Sequence, residues 1–198
     1  ALEAAVEAMR GTDLGLQAAR AGAKPGVDGL TVPYFGTDVV ASPETGRVIT
    51  GTGGLVLPVW EQILVLHYLL GAADNLGDDV DEWLAFRELP EAAFYDSAFR
   101  QQVNQPLAER FGEAPARLQA LEGQWDTKRG EQGDASLVFA PFPHVRLALQ
   151  VWAGDDDFPA EANVLFSRST GRCLTAEDAA VLADVALRRV LSADRPES

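Results

Sequence analysis

Four carboxylates, Asp155, Asp156, Asp157 and Glu161, crowd the interval between two apolar runs in VWAGDDDFPAEANVLF, residues 151–166. Carboxylates are seldom buried without a partner, so this charge must face water, a cation or another molecule. Oxygen donors at this density suit a hard cation such as Ca²⁺ or Mg²⁺. The order is not that of an EF-hand, because no D-x-[DN]-x-[DN]-G run with a closing Glu occurs. A solvated connection between strands accommodates the same residues without any ion. On that reading the three aspartates are mostly exposed and at least one accepts hydrogen bonds from loop amides. Pro159 then stiffens the turn and Phe158 anchors it to the core. A paired-carboxylate hydrolase would need a fixed separation between two acids, which spacing along a loop does not supply.

The two histidines offer a different chemistry. His67 lies in the most apolar stretch, PVWEQILVLHYLLGAADN, where helical spacing places Trp60, Leu64, His67 and Gly71 along one side. A haem or corrin could take His67 as an axial ligand and Trp60 as part of its apolar wall, which makes these two the candidate cofactor-binding residues. The plainer alternative is a core histidine hydrogen-bonded to a polar neighbour. Both readings put His67 inside the protein. His144, in APFPHV, reads as a turn residue at the start of a strand. Cys173 follows Arg172 and precedes the last helix, a setting in which a helix N-terminus and a cation would lower a thiol pKa. Without a motif around it, an inert cysteine is the default. Ser167, Ser169 and Thr170 lack the G-x-S-x-G elbow of a serine hydrolase.

The chain that must position these groups has 198 residues, 47% of them hydrophobic, enough for the sizeable core of one domain over residues 1–198. Its net charge of -14, from 16 Lys plus Arg against 30 Asp plus Glu, repels phosphate backbones and anionic lipid. Neither nucleic acid nor membrane is expected as a partner. The strongest apolar run, Leu55 to Gly71, is interrupted by Glu61, Gln62 and His67, short of the roughly 18 apolar residues of a membrane span. The opening ALEAAVEAMRG has no basic region ahead of an apolar stretch and does not read as a secretory signal. A single cysteine excludes an internal disulfide and any multi-cysteine metal site, and fits a cytoplasmic protein.

Hydrophobic spacing divides the chain into alternating regimes. Leu2, Ala5, Val6 and Met9 recur at helical intervals, Gly11 stops that helix, and Thr12 or Asp13 can cap a second one through Arg20. Leu30–Phe35, Thr37–Ala41 and Arg47–Thr50 then read as a hairpin or meander, with SPETG as a tight turn. Val59 to Leu70 reads as the central buried helix. WLAFREL reads as a strand. Residues 92–111 form a helix kinked at Pro106 with Gly112 as its cap, and Pro115 opens a helix ending near Leu121. GQWDTKRGEQGDA is the least regular stretch, a loop or lid candidate. SLVFAPF, VRLALQVW and ANVLF are strands, the second with Arg146 and Gln150 on a wet face. Thr175 and Asp178 form a capping box that opens the closing helix. This pattern predicts an α+β fold, mainly an antiparallel sheet with a central buried helix and terminal helices.

Taken in order, YFG at 34–36, LHYLLGA at 66–72, WLAFRELP at 83–90, FYDSAF at 94–99, RFG at 110–112, GD at 133–134 and WAGDDDFPAEANVLF at 152–166 resemble an uncharacterised bacterial and archaeal family, domain of unknown function 3786. The resemblance spans nearly the whole chain, and the last motif is its most specific part. Most members carry an acid directly after VLF, where this chain has Ser167. The family implies no activity. Some members look fused to cysteine-rich iron–sulfur modules of the kind found with corrinoid proteins, which implies cofactor, redox or one-carbon company. Three readings follow: a non-catalytic binding or accessory domain for a partner protein or small-molecule cofactor; an enzyme with an acidic, metal-assisted site at residues 155–161; and a haem, corrin or flavin carrier centred on His67.

Overall fold

The computed structural model describes residues 1–74, 76 and 79–194. Two short helices open the chain, α1 (Leu2–Arg10) and α2 (Leu14–Ala21). Asp13 starts α2 by accepting the amides of Gly15 and Leu16 at 3.0 and 3.1 Å, and Gly22 ends it with a left-handed φ of 64°. Strands β1 (Lys24–Gly26), β2 (Gly29–Tyr34), β3 (Thr37–Ser42) and β4 (Arg47–Thr50) follow as an antiparallel meander in chain order. The β2–β3 connection is the two-residue turn Phe35–Gly36, with both φ values positive at 47° and 77°. That is a type I′ hairpin turn, whose first position ordinarily favours Asn or Gly. Phe35 tolerates it because its ring is buried against Phe139 and Tyr34.

Helix α3 (Val59–Gly71) runs through the middle of the molecule against α1, α2 and β4. Leu64, Val65, Tyr68 and Leu69 are almost fully buried, whereas Val59 and Trp60 in its first turn are exposed. The central helix is therefore buried on the face of Leu64, Val65, Tyr68 and Leu69, and open at its start and along the flank of His67. The remaining strands, β5 (Trp83–Ala85), β6 (Lys128–Arg129), β7 (Ala135–Phe142), β8 (Val145–Trp152) and β9 (Glu161–Ser167), form a second antiparallel sheet in the order β5-β9-β8-β7-β6. Between β5 and β6 lie α4 (Asp96–Phe99), a π turn (Arg100–Asn104), α5 (Gln105–Phe111) and α6 (Ala116–Gln119), and α7 (Ala176–Ala193) closes the chain.

The α+β class and the antiparallel pairing agree with the sequence, but there are two sheets and not one. Three local expectations also change. WLAFREL is a strand only over Trp83–Ala85, because Glu88 turns back to accept the Ala85 amide at 2.7 Å and holds Phe86–Glu88 in a 3₁₀ turn. The kink before Pro106 is a π turn: proline has no N–H to return, so the helical ladder shifts register just ahead of it. Strand β8 has no wet face, since Ala148 and Gln150 are buried as well as the apolar set. It is the middle strand of five, with α5 packed against it.

One aromatic seam joins the two sheets. Phe142 of β7 stacks on Tyr68 of α3 with centroids 4.0 Å apart and planes 6° off parallel, and Tyr34 of β2 meets Phe142 at 5.2 Å. The Phe35 amide donates to the Pro141 carbonyl across the seam at 3.2 Å. Buried residues from both sheets and from α1, α2, α3 and α7 form one contiguous core. At the end of α3, a Cβ on Gly71 would fall on the carbonyl oxygen of Cys173, well inside contact distance. Gly71→Ala is expected to lower stability by about 1–3 kcal/mol through this backbone clash, read as a lower urea midpoint.

Candidate functional site

The acidic loop 153–160 is built by three separate supports. At its start the Asp134 carboxylate accepts the Ala153 amide at 2.7 Å, while the Asp134 amide donates to the Val151 carbonyl at 2.9 Å. Gly133 takes φ 86° to bring this latch against β8. Inside the loop, Asp155 Oδ1 accepts the amides of Asp157 and Phe158 at 2.9 and 2.7 Å, and the Asp155 amide donates to the Phe158 carbonyl. At its end, Ala160 packs so closely on Gly112 that any Cβ there would overlap the Ala160 methyl. Asp155, Asp156 and Asp157 are exposed, as is Glu161. Phe158 is not the expected anchor: it is 71% exposed, and the loop is held by hydrogen bonds instead.

This loop forms one wall of a groove of about 1020 Å³. Helix α4, the π turn and α5 make the opposite wall through Asp96, Arg100, Gln101, Asn104, Gln105, Ala108 and Glu109. Phe86 and Phe99 stack at 4.0 Å along one side, with Arg87 beside them, and Trp152, Asn163 and Glu161 come from β8 and β9. Asn104 Oδ1 is buried there without a hydrogen-bond partner. The lining holds five carboxylates and two guanidinium groups, and one of the latter, Arg100, is already paired with Asp96 at 3.1 Å. A groove that is part aromatic, part amide and acidic at its edges can hold an elongated cationic ligand.

The four acids do not come together as a ligand set. Asp155 and Glu161 line the groove, Asp156 and Asp157 do not, and Asp155 spends one oxygen on its own turn. Among the described residues no group of three or more His, Cys, Asp or Glu side chains is arranged to hold a metal ion.

His67 and Trp60 separate as well. His67 is not buried: its side chain is 39% exposed, and Nδ1 lies 2.7 Å from Oδ1 of the nearly buried Asp178. The other Asp178 oxygen takes the Thr175 hydroxyl and amide, so the capping box of α7 also orients the imidazole. Trp60 opens onto a different cavity that His67 does not line. His144 is a turn residue, with its carbonyl accepting the Ser169 hydroxyl at 2.6 Å. Burial first, and then the Arg146 charge, pull its pKa below the ordinary value. Ser167 is fully buried, accepts the Arg146 amide at 2.9 Å and stands away from the groove lining.

Cys173 follows the default of an inert cysteine and not the activated alternative. Burial pushes its thiol up to about 12, and the Arg172 charge offsets only part of that rise. Desolvation outweighs the cation because the sulfur is enclosed by the core.

Sequence reasoning singled out Asp155 and Glu161 but passed over the groove's other wall and the supports of the loop. Gly112, Gly133 and Asp134 stood within the RFG and GD motifs, and only the fold shows what they press against. Segments of WLAFRELP, FYDSAF, RFG and WAGDDDFPAEANVLF, far apart in the chain, all contribute to the groove lining. A family model described as Domain of unknown function (DUF3786) matches residues 13–189. No curated protein and no solved structure gives a significant match.

Two outcomes test this geometry. Asp155→Ala is expected to speed hydrogen exchange at the Asp157 and Phe158 amides by about five- to tenfold while leaving the global unfolding midpoint in place, since only a local turn is released. The native Cys173 thiol is expected to react with iodoacetamide near pH 8 about a thousandfold more slowly than in urea, because its pKa is raised from 9.0 to about 12. The sign for stability follows: the fold prefers the neutral thiol, so this contribution is complete below pH 9.0 and is lost as pH rises towards 12.

Proposed function

Because the chain belongs to the DUF3786 family, whose description carries no activity, we propose a function from its own geometry: a non-catalytic binding or accessory domain, residues 1–198, that seats a basic, aromatic-bearing segment of a partner protein in the groove. The observation that carries this reading is the composition of that lining, in which the 71% exposed Phe158 stands among Glu109, Glu113, Asp155 and Glu161, above the buried Phe86–Phe99 stack. An aromatic ring kept exposed at the edge of a concavity costs solubility and suits an interaction site. The acidic edges favour a partner of opposite sign and disfavour nucleic acid and anionic lipid. No helix among the described residues is long and apolar enough to cross a membrane. The single cysteine supports a cytoplasmic setting. Service to cofactor, redox or one-carbon metabolism is supported by the iron–sulfur company that the family resemblance implies.

An enzyme with a metal at residues 155–161 has less support, because the loop carboxylate best placed to bind an ion is committed to two backbone amides. The carrier reading centred on His67 keeps one observation in its favour, an imidazole oriented by Asp178 through Nδ1 with Nε2 left for a ligand.

Panning a random peptide library against the full chain tests the leading proposal. Enriched peptides are expected to combine Arg or Lys with an aromatic residue, and Phe158→Ser is expected to weaken the best of them about tenfold, the loss typical of an exposed aromatic anchor. Peptides that bind equally well to Phe158→Ser and to Glu161→Lys would reject the groove as the site.

A further inference from the structure

Where α3 begins, a second cavity of about 490 Å³ opens between that helix and the C-terminal part of α7. It shares no lining residue with the groove. Trp60 and Trp125 contribute two indole surfaces, and the charged lining groups are Glu61, Arg188 and Arg189. Glu61 is already neutralised, because Oε2 accepts the Tyr34 hydroxyl at 2.7 Å and Arg189 Nη2 at 3.1 Å. Arg189 lies flat against the core, its guanidinium carbon 4.5 Å from the Phe35 ring centroid, and its Nε is buried without a hydrogen-bond partner. Arg188 is 68% exposed and holds one neighbour, Asp184, in an i,i+4 pair of the kind that solvent readily exchanges. With Asp184 counted, two guanidiniums face two carboxylates, so the positive charge open to a ligand is that of Arg188, whose exposed carboxylate partner an acid group can replace.

The same place gathers most of the backbone strain of the described residues. Phe35, Trp125 and Asp126 all have positive φ, at 47°, 52° and 58°, and a Cβ on Gly36 would press on the Trp125 carbonyl carbon at 2.9 Å. Two tight turns thus brace one another, and Trp125 is fixed on its inner side by Phe139 at 6.3 Å. Non-glycine residues in this conformation persist only where the surroundings impose them, and they gather at ligand clamps. Trp60, in contrast, is 53% exposed on the first turn of α3. An exposed indole facing a cavity beside a braced one needs an explanation that core packing does not give.

We infer that this cavity binds a small planar aromatic anion, its ring system against Trp60 and Trp125 and its acid group against the Arg188–Arg189 pair. Indoles favour flat π-systems over aliphatic chains, and guanidinium groups match the planar oxygens of a carboxylate, sulfonate or phosphate. The volume falls within the range of about 300–1,000 Å³ found for small-molecule sites. His67 lies outside the lining, so the ligand is one held by stacking and charge and not by an imidazole–metal bond.

Two probes that differ only in the acid group test this: 1-anilinonaphthalene-8-sulfonate and N-phenyl-1-naphthylamine, titrated by calorimetry into the full chain carrying Phe158→Ser, so that the groove does not contribute. The sulfonate is expected to bind at one site and more tightly than the neutral amine. Trp60→Ala is expected to weaken it about tenfold, as loss of one stacked face should. Arg188→Gln, at an exposed position that the fold does not depend on, is expected to weaken the sulfonate about threefold and leave the amine unchanged. Equal affinity for the two probes, or sulfonate binding indifferent to Trp60→Ala, overturns the inference. So does a monomer–dimer equilibrium in sedimentation that Trp60→Ala abolishes, which would make Trp60 part of a contact between copies.

Discussion

The contact on which the architecture rests is the stack of Phe142 on Tyr68, backed by Tyr34. Each ring belongs to a different unit: the second sheet, the central helix and the first sheet. Sheets from separate parts of a chain have no hydrogen bonds to share except at their edges, so their relative position depends on side chains that interlock. Here the Tyr68 hydroxyl also donates to the Ala21 carbonyl at 2.8 Å, which ties the end of α2 to the same point. Desolvation holds that phenol well above its ordinary pKa, so it stays a neutral donor. Displacing Phe142 would take away the ring on which both Tyr68 of α3 and Tyr34 of β2 rest.

Helix α7 depends on that seam from the other side. It is fastened to α3 by polar contacts near its two ends, His67 with Asp178 and Glu61 with Arg189, so the two helices run antiparallel with apolar contacts between. The partners are unequal in burial: Asp178 and Glu61 are enclosed, whereas His67 is 39% exposed. An enclosed Glu61 without Arg189 would be costly, so that ion pair fixes the register of one helix on the other more than it adds net stability, and the His67–Asp178 hydrogen bond repeats the fixing at the far end. The groove relies on a different economy of support. Its acidic wall is a loop, yet Asp134, Asp155 and Gly112 hold it at three points, which reduces the entropy a ligand would have to remove on binding.

Much of this was legible in the chain, and what was not has physical causes. The hairpins and helices of the first half follow from switches in hydrophobic period, and Asp13 and Thr175 announced themselves as caps by type and spacing. Periodicity failed where it carried no directional information. Helix α3 is apolar on nearly every side, so nothing in its pattern said that the flank bearing His67 would stay open while Gln62 would be buried by accepting the Val48 amide at 3.0 Å. Gln150 misled for the same reason, since a polar residue at an alternating position reads as a wet face unless the covering helix is known. The exposure of the three aspartates was readable from charge alone. Their assembly with the π turn into one groove was not, because that depends on long-range packing between segments some fifty residues apart.

Charge separates the two concavities more sharply than shape does. The groove lining has carboxylates in excess of guanidinium groups, while the cavity at Trp60 has the reverse, and its one carboxylate is satisfied by Tyr34 and Arg189. On a chain with 30 acids and 16 bases, an acidic surface is the expected background, and a pocket whose two guanidiniums balance Glu61 and Asp184 is the departure from it. The background supplies long-range attraction for cationic partners and is screened by salt over roughly 8–10 Å. Arg189, set against the Phe35 ring with its Nε buried, is less open to counterions than Arg188, whose side chain is 68% exposed. Ionic strength should therefore weaken the proposed encounter at the groove, and at the pocket it should act through Arg188 more than through Arg189.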